Sequence, residues 1–151
     1  MNKKIEIYTD GSSLGNPGPG GWGCVVVENG KSVFELDGFD KNTTNNRMEI
    51  KAVIEALRHI NKKYEGQEVT IVADSNYVLL GITEWIHNWQ KNGWRTAGKK
   101  PVLNQELWQE LWQLKEGVSA KISWQKVKGH SGYIFNERAD KIATTKASLQ
   151  K

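Results

Sequence analysis

The pattern of apolar and polar side chains predicts three strands in the first third of the chain. Residues 5–10 alternate between the two kinds of side chain, which predicts a strand that ends at the carboxylate of Asp10. A loop rich in glycine and proline follows, and residues 24–27 and 33–36 predict two more strands. The pair Asn29-Gly30 lies between them and is typical of a tight hairpin turn.

From Thr44 onward the hydrophobic period becomes helical. One apolar stripe consists of Met48, Ala52, Val53, Ala56, Leu57 and Ile60. The later patterns predict a strand at 69–73, a helix at 77–89 that Gly81 breaks in two, a helix at 105–115, a strand at 122–127 and a helix at 136–147. Three hairpin-linked strands followed by this alternation predict an α/β fold, in which helices flank one mixed sheet.

Length and composition limit the class of protein. At 151 residues, the chain is expected to form one domain over residues 1–151. A hydrophobic content of 38% and a mean hydropathy of -0.61 are typical of a soluble globular protein. No apolar run approaches the roughly 20 residues that span a bilayer. The single cysteine, Cys24, excludes an internal disulfide, so we expect a cytoplasmic protein without a removable leader.

Positive charge is concentrated in one segment. The net charge of +4 and the pI of about 9.1 only mildly indicate an anionic partner. Residues 85–105, however, contain no acidic side chain, and they include Trp85, Trp89, Trp94, Lys91, Arg95, Lys99 and Lys100. The spacing of Trp85 and Trp89 also fits a buried helix face, so we expect at least one of them in the core. The cations predict an arm that follows phosphates independently of base sequence.

Four acidic residues stand apart from the others. Asp10 and Asp74 end two predicted strands. Glu49 lies on the apolar stripe of the first helix, and Asp140 shares a helical edge with two alanines. These positions predict that the four carboxylates meet at one end of the sheet.

Each of these residues also has a structural explanation. The alternatives are a turn at Asp10-Gly11, a capping box formed by Asn46 and Glu49, a helix N-cap at Asp74 and a first-turn acid at Asp140. Glu137 lies four residues before Lys141, which predicts an ordinary surface ion pair.

If the four carboxylates meet, they predict a metal site. Unpaired carboxylates repel one another unless a cation neutralises them. Clusters of carboxylate oxygens suit Mg²⁺ or Mn²⁺ rather than zinc, and the sequence has no cluster of histidine and cysteine. Two such ions roughly 4 Å apart activate a water and stabilise the leaving oxygen in phosphodiester hydrolysis.

The glycine-rich segments allow more than one interpretation. Gly18-Pro19-Gly20-Gly21-Trp22-Gly23 matches a dinucleotide-binding motif, but a strand follows it instead of a helix, which excludes that function. Residues 11–16 are either a strand connection or a place where the backbone approaches a sugar–phosphate chain. Asn16, Asn45 and Asn46 would then suit an RNA 2′-hydroxyl, which both donates and accepts hydrogen bonds.

His130 lies between two glycines after the last predicted strand. It is either an exposed bystander or a group that helps to transfer protons or to release product. The sequence around it leaves both interpretations open.

Several motifs in order resemble those of one family. They are Tyr8-Thr9-Asp10-Gly11-Ser12, Asn16-Pro17-Gly18-Pro19-Gly20-Gly21, Thr43-Thr44-Asn45-Asn46-Arg47-Met48-Glu49, Asp74-Ser75-Asn76-Tyr77-Val78 and Gly129-His130-Ser131-Gly132 followed by Asn136-Glu137-Arg138-Ala139-Asp140. From about residue 5 to residue 143, the chain resembles type 1 ribonuclease H of the bacterial kind.

The resemblance implies a ribonuclease H-like fold, with a five-stranded mixed sheet in the order 3-2-1-4-5. It also implies a monomeric endonuclease that cuts the RNA strand of RNA–DNA hybrids and leaves 5′-phosphate and 3′-hydroxyl ends. Two Mg²⁺ ions, for which Mn²⁺ can substitute, would be held by Asp10, Glu49, Asp74 and Asp140, and His130 would assist. The implied substrate-binding residues are Gly11, Asn16, Thr44, Asn45, Asn46, Asn76, Tyr77, Trp85, Lys99, Lys100 and Asn104.

Two other functions compete with this interpretation. Integrases, transposases and junction resolvases also use acidic clusters on this type of sheet, and a fold alone does not determine function. A protein of a different class, a non-catalytic module that binds hybrids, would use its acidic residues only as caps and turns. Magnesium-dependent cleavage of a labelled hybrid distinguishes the enzyme from the module.

Overall fold

The computed structural model describes residues 3–127 and 134–150. The strands are β1 (Ile5–Ser13), β2 (Gly18–Glu28), β3 (Lys31–Thr43), β4 (Glu68–Ala73) and β5 (Lys121–Lys126). The helices are α1 (Asn45–Lys63), α2 (Asn76–Leu80), α3 (Ile86–Trp89), α4 (Gln105–Gly117) and α5 (Ile134–Ser148), and a π-helical turn (Gly81–Trp85) joins α2 to α3. Within the described ranges, every helix is too short or too polar to cross a bilayer.

The five strands form one mixed sheet. Their order is β3-β2-β1-β4-β5, which confirms the predicted order. β1 pairs antiparallel with β2, and β2 pairs antiparallel with β3. β4 lies parallel to β1 and to β5. The carboxyl ends of β1 and β4 therefore lie side by side at one edge of the sheet.

A hydrophobic layer covers each face of the sheet. Side chains alternate along β2, so that Cys24 and Val26 pack in the layer that contains α1. Val25 and Val27 face the opposite way and pack with residues of α5. The apolar stripe predicted for α1 is buried throughout. Ile50 and Ile54 are buried as well, because α4 covers a second side of α1.

The first three strands are longer than the sequence predicts. β1 does not end at Asp10 but continues to Ser13, and Asp10 and Gly11 pair with Gly23 and Trp22 of β2. Of the glycines expected in a loop, Gly11, Gly18, Gly20, Gly21 and Gly23 are therefore strand residues, whereas Gly15 lies in the connection between β1 and β2. Backbone hydrogen bonds to the neighbouring strands hold these residues in the sheet. A hydrophobic pattern in the sequence cannot predict such strand segments, because their residues are mostly glycine or polar.

Two glycines of β2 allow α5 to lie directly on the sheet. A Cβ atom at Gly21 would stand 2.5 Å from the carbonyl oxygen of Ala143 and 2.7 Å from the backbone nitrogen of Ala147. At Gly23, it would stand 2.6 Å from Cγ2 of Ile142. Only glycine fits this contact, which fixes the distance between α5 and the sheet.

The helical segment at 76–89 does not break at Gly81. The chain stays helical there but widens into the π-helical turn. A Cβ atom at Gly81 would overlap the indole ring of the buried Trp108. The glycine therefore allows close packing against α4, and the widened turn begins at this contact.

Replacing Gly21 with alanine is expected to destabilise the protein by about 1 to 3 kcal/mol, because the added methyl group meets α5 backbone that cannot rotate away. Urea unfolding followed by circular dichroism measures this change. Gly117→Ala is the matched control, since a Cβ there meets nothing within 4 Å. An equal stability of Gly21→Ala and the unchanged protein would show that α5 does not depend on this contact.

Candidate active site

Three of the four predicted carboxylates line one cavity. Thr9 of β1 pairs with Ala73 of β4, so that Asp10 and Asp74 are the next residues along two neighbouring parallel strands. Asp140 reaches the same place from α5. These three residues, with Asn136 and Glu137, line a cavity of about 200 Å³. The convergence predicted at the end of the sheet is present.

Glu49 joins the cluster from the other layer. It lies in α1 with only 7% of its surface exposed, and its carboxylate contacts that of Asp10. The approach depends on Gly11, because a Cβ atom there would overlap the backbone of Met48 and Glu49. Gly11 is buried where β1 packs against α1. This positioning role could not be inferred from the motif. The predicted contact of Gly11 with substrate stays a prediction.

The structural explanations for the four acidic residues are wrong. Asp10 and Gly11 lie within β1 and not in a turn. The side chain that caps α1 belongs to Thr44, which excludes a capping box at Asn46.

The same holds for the two remaining acids. The side chain of Ser75, and not that of Asp74, caps α2 by accepting a hydrogen bond from the N–H of Val78. Asp140 lies six residues after the start of α5 and therefore beyond its first turn. None of the four carboxylates has the local role that would account for it.

Burial and mutual repulsion perturb the central carboxylates. The pKa of Asp10 is raised to about 7, chiefly because the side chain is buried and also because Asp140 lies beside it. The Gly11 N–H donates a 2.9 Å hydrogen bond to Asp10 Oδ1, which lowers the same pKa. The pKa of Glu49 is raised well above its usual value by burial, by Asp10 and by Asp74. A cation in the cavity would remove this repulsion.

The side-chain oxygens that line the cavity suit a divalent ion such as Mg²⁺, which would complete its coordination with water and substrate. Within residues 3–127 and 134–150, no three acidic, histidine or cysteine side chains already surround one point closely enough to hold an ion. Mg²⁺ commonly binds one or two protein carboxylates and completes its shell with waters and substrate phosphates. The Asn136 side-chain oxygen is buried beside these carboxylates and has no hydrogen-bond partner in the described part of the chain. An all-oxygen site of this kind suits Mg²⁺ or Mn²⁺.

The asparagines predicted to contact RNA lie where β1 ends and α1 begins. Asn16 Oδ1 accepts hydrogen bonds from the Asn45 N–H and from the Ser13 hydroxyl, both at 3.0 Å. Asn45 Oδ1 in turn accepts from the Ser13 N–H at 3.1 Å. Asn46 is exposed next to them. The loop is thus bound to the start of the helix that carries Glu49.

A second cluster surrounds the start of α4. Asn104 donates to the Tyr77 hydroxyl at 3.2 Å and accepts from Arg47 at 3.2 Å. The Tyr77 ring lies 5.8 Å from that of Trp85, measured between centroids. The Thr44 hydroxyl caps α1 by accepting a hydrogen bond from the backbone N–H of Arg47. The structure therefore connects Tyr77 with both Asn104 and Trp85.

The basic segment forms an exposed protrusion between α3 and α4. Thr96 and Lys100 are joined by a 2.7 Å backbone hydrogen bond, and Lys99 adopts a left-handed conformation with φ of 62°. Lys99 and Lys100 are both exposed. Trp89 packs against the core as expected for one member of the tryptophan pair.

A cleft of about 470 Å³ lies beneath this protrusion. It is lined by Trp85, Asn88, Trp89, Lys91, Asn92, Arg95 and Ala97. Asn76 is exposed at the start of α2, where its side-chain oxygen accepts a 2.6 Å hydrogen bond from Lys126. His130 lies outside the described residues.

Two residues of the cavity were not predicted as site residues. Asn136 and Glu137 precede Asp140 on α5 and line the cavity with it. The expected ion pair of Glu137 with Lys141 is absent from the ion pairs that the described residues form. The spacing of four between Asn136 and Asp140 places both on one helix face, and this was the available signal.

A mixed sheet of this order, with acidic residues in β1, directly after β4 and on two helices, defines the class of metal-dependent nucleases with the ribonuclease H-like fold. The family model for RNase H matches residues 2–148. Ribonuclease H of Thermosynechococcus vestitus is 54% identical over 137 residues, which are 91% of this chain and 84% of that protein. Ribonuclease H of Erythrobacter litoralis is 51% identical and covers 98% of this chain and 99% of its own length.

Solved structures agree with the sequence comparisons. LC9-RNase H1, a type 1 RNase H with the type 2 active-site motif, has a TM-score of 0.84 and 36% identity over 100% of this chain and 75% of its own. LC11-RNase H1 in complex with an RNA/DNA hybrid has a TM-score of 0.73 and 26% identity over 97% of this chain and 98% of its own. The chain belongs to the ribonuclease H family, which consists of metal-dependent endoribonucleases. The resemblance found in the motifs is confirmed.

Asp10→Asn is expected to stabilise the metal-free protein near pH 8. Asp10 binds its proton more tightly in the folded than in the unfolded protein, because its pKa is raised to about 7. The folded protein therefore loses stability as the pH rises from about 4 through about 7 and Asp10 becomes ionised. The amide carries no charge, and we expect a melting temperature about 3 to 6 °C higher, equivalent to about 1 to 2 kcal/mol. Differential scanning calorimetry with a chelator measures it.

The increase in melting temperature of Asp10→Asn should disappear near pH 3, where Asp10 is protonated in both the folded and the unfolded state. Glu68→Gln removes an exposed acidic charge and serves as the control, with little expected change. A melting temperature of Asp10→Asn that is unchanged at pH 8 would contradict the cost assigned to the buried charge.

Proposed function

We propose that this chain hydrolyses the RNA strand of RNA–DNA hybrids with two divalent metal ions, Mg²⁺ in the cell, and leaves 5′-phosphate and 3′-hydroxyl ends. The observation that carries the proposal is the meeting of Asp10, Asp74 and Asp140 in one cavity, with Glu49 in contact with Asp10. The chain would act as a cytoplasmic monomer. Its relative LC11-RNase H1 was solved with an RNA/DNA hybrid, which supports the same substrate here.

The membership in the ribonuclease H family suggests a role for each carboxylate. When bound in the cavity, two divalent ions supply an activated water and neutralise charge on the leaving oxygen. Asp10, which lies beside Asp140 and Glu49, would be shared by both ions. Asp140 would hold the ion on the side of the attacking water, and Glu49 and Asp74 the ion on the leaving-group side. Burial of Asp10 and Glu49 strengthens their attraction for the ions, because little water screens it.

The substrate would lie across the surface that joins the asparagines to the protrusion. Asn16, Asn45 and Asn46 surround the start of α1, next to Glu49, where they can read 2′-hydroxyl groups. Thr44, Tyr77, Trp85 and Asn104 would contact the DNA strand, and Gly11 and Asn76 would also contact the substrate. Lys99 and Lys100 would attract its phosphates. His130 would assist proton transfer or product release.

The competing functions explain fewer observations. A module that only binds hybrids has no use for carboxylates held in mutual repulsion, since each costs stability and none of the four serves as a cap or turn. Integrases and resolvases share the acidic cluster but act on DNA. The exposed asparagines beside Glu49 suit a strand that carries 2′-hydroxyl groups, which favours a hybrid.

The direct test is cleavage of a labelled hybrid. We expect magnesium-dependent cutting of the RNA strand, no cutting with a chelator, and no cutting of the same sequence as duplex DNA. Asp10→Asn should lower kcat by at least about 10³-fold, because it removes the charge shared by both ions, while hybrid binding stays largely intact. Gel analysis of the products and fluorescence anisotropy of binding measure the two properties.

The variant's calorimetric melt, already described, is the control for folding. Full activity of Asp10→Asn would remove the shared-ligand role. Tight binding of the hybrid by the unchanged protein without any cutting in Mg²⁺ or Mn²⁺ would favour the non-catalytic module.

Neutralising Lys99 and Lys100 to glutamine should weaken hybrid binding and flatten its dependence on salt. Each lost phosphate contact lowers the slope of log K against log salt by about 0.9, so we expect a decrease of about 1 to 2 for the pair. The effect should be the same for hybrids of different sequence. Binding titrations between low and moderate salt measure the slope.

The matched control is the same double change at Lys62 and Lys63. These residues are also exposed but lie at the opposite end of α1 from Glu49, about 20 Å along the helix. An equal fall in slope for both pairs would mean that only net charge matters. An unchanged slope for Lys99 and Lys100 would show that the protrusion touches no phosphate.

A further inference from the structure

Asn136 lines the cavity and has no role in the mechanism proposed above. It lies one helical turn before Asp140 on α5 and keeps only 8% of its surface exposed. Its Oδ1 atom is fully buried and has no hydrogen-bond partner among the described residues. The side chain lines the same cavity as Asp10, Asp74 and Asp140.

A buried amide oxygen without a partner is costly. The group loses its hydrogen bonds to bulk water on folding, and an apolar side chain of the same shape would avoid this loss. Leucine has that shape and is favourable in a helix. An asparagine at this position therefore indicates a donor that residues 3–127 and 134–150 do not provide.

The donor must suit the neighbouring groups. The nearest side chains of the cavity are carboxylates, which only accept hydrogen bonds when ionised. A water molecule bound to a divalent ion is a strong donor, and Mg²⁺ usually keeps several of its waters when proteins bind it. Groups that hold such waters or orient the direct ligands often determine metal affinity as strongly as the ligands themselves.

We infer that Asn136 is a further positioning residue of the metal site, whose Oδ1 accepts a hydrogen bond from a water in the hydration shell of the ion held by Asp10 and Asp140. This inference rests on the proposed function, because it requires a divalent ion in the cavity. Asn136 acts on the ion's water and contributes no direct ligand. Its effect is therefore on metal affinity and not on hybrid binding.

The test is a titration of the substrate-free protein with Mn²⁺, followed by calorimetry or by the electron paramagnetic resonance signal of free Mn²⁺. Asn136→Leu should weaken Mn²⁺ binding by about threefold to tenfold, the value of one hydrogen bond. Asn136→Asp keeps an acceptor oxygen and should bind Mn²⁺ at least as tightly as the unchanged protein. In cleavage assays, Asn136→Leu should need correspondingly more metal, with an unchanged KM for the hybrid.

Thr43→Val is the matched control. Thr43 Oγ1 is the other buried side-chain oxygen without a partner among the described residues, and it lies outside the cavity. Thr43→Val also removes a buried oxygen that has no hydrogen-bond partner among the described residues. Because Thr43 lies outside the cavity, this change should leave the Mn²⁺ affinity unchanged.

The outcomes separate this inference from the function on which it rests. Equal Mn²⁺ affinity of Asn136→Leu and the unchanged protein, both active, would overturn the role of Asn136 alone. A similar loss of affinity in Asn136→Leu and Asn136→Asp would also overturn it, because an acceptor oxygen would then make no difference. Failure of the unchanged protein to bind Mn²⁺ or to cut hybrids would overturn the proposed function itself.

Discussion

The repulsion among carboxylates at one end of the sheet is the constraint to which the rest of the structure is adapted. Asp10 and Glu49 are both buried, and neither takes part in the ion pairs formed within residues 3–127 and 134–150. Such a group destabilises the folded protein unless packing elsewhere compensates. Here two hydrophobic layers, one on each face of the sheet, hold β1, α1 and α5 in place. A divalent cation bound between these carboxylates would remove their electrostatic repulsion.

Close approach of backbones makes this arrangement possible. Gly11 lets the start of α1 reach β1, and Gly21 and Gly23 let α5 lie against β2. The three glycines therefore determine how near Glu49 and Asp140 come to Asp10. Their importance is steric, since each occupies a place where even a methyl group would force two elements apart. The geometry of the carboxylate cluster therefore depends on residues that have no side chain.

Binding and chemistry occupy different parts of the molecule. Asp10, Glu49 and Asp140 lie on elements that pack around the hydrophobic core. The cations lie on an exposed protrusion whose own backbone hydrogen bonds define its shape. Electrostatic attraction acts over several ångströms and tolerates such exposure. Positioning of a metal ion does not, because its ligands must lie within a few tenths of an ångström of their places. This difference explains why Asp10 is buried and Lys99 is not.

The sequence by itself determined the order of the elements, the apolar stripe of α1 and the family, because hydrophobic period and motif order are local properties that can be read without coordinates. It also singled out Asp10, Glu49, Asp74 and Asp140. It could not decide between their structural and chemical roles, since a cap or a turn depends on where each element begins. Only the tertiary structure decided that β1 continues past Asp10, that glycines bring the helices close, and that Asn136 shares the cavity. Burial and mutual distance depend on residues far apart in the chain, and packing alone brings those residues together.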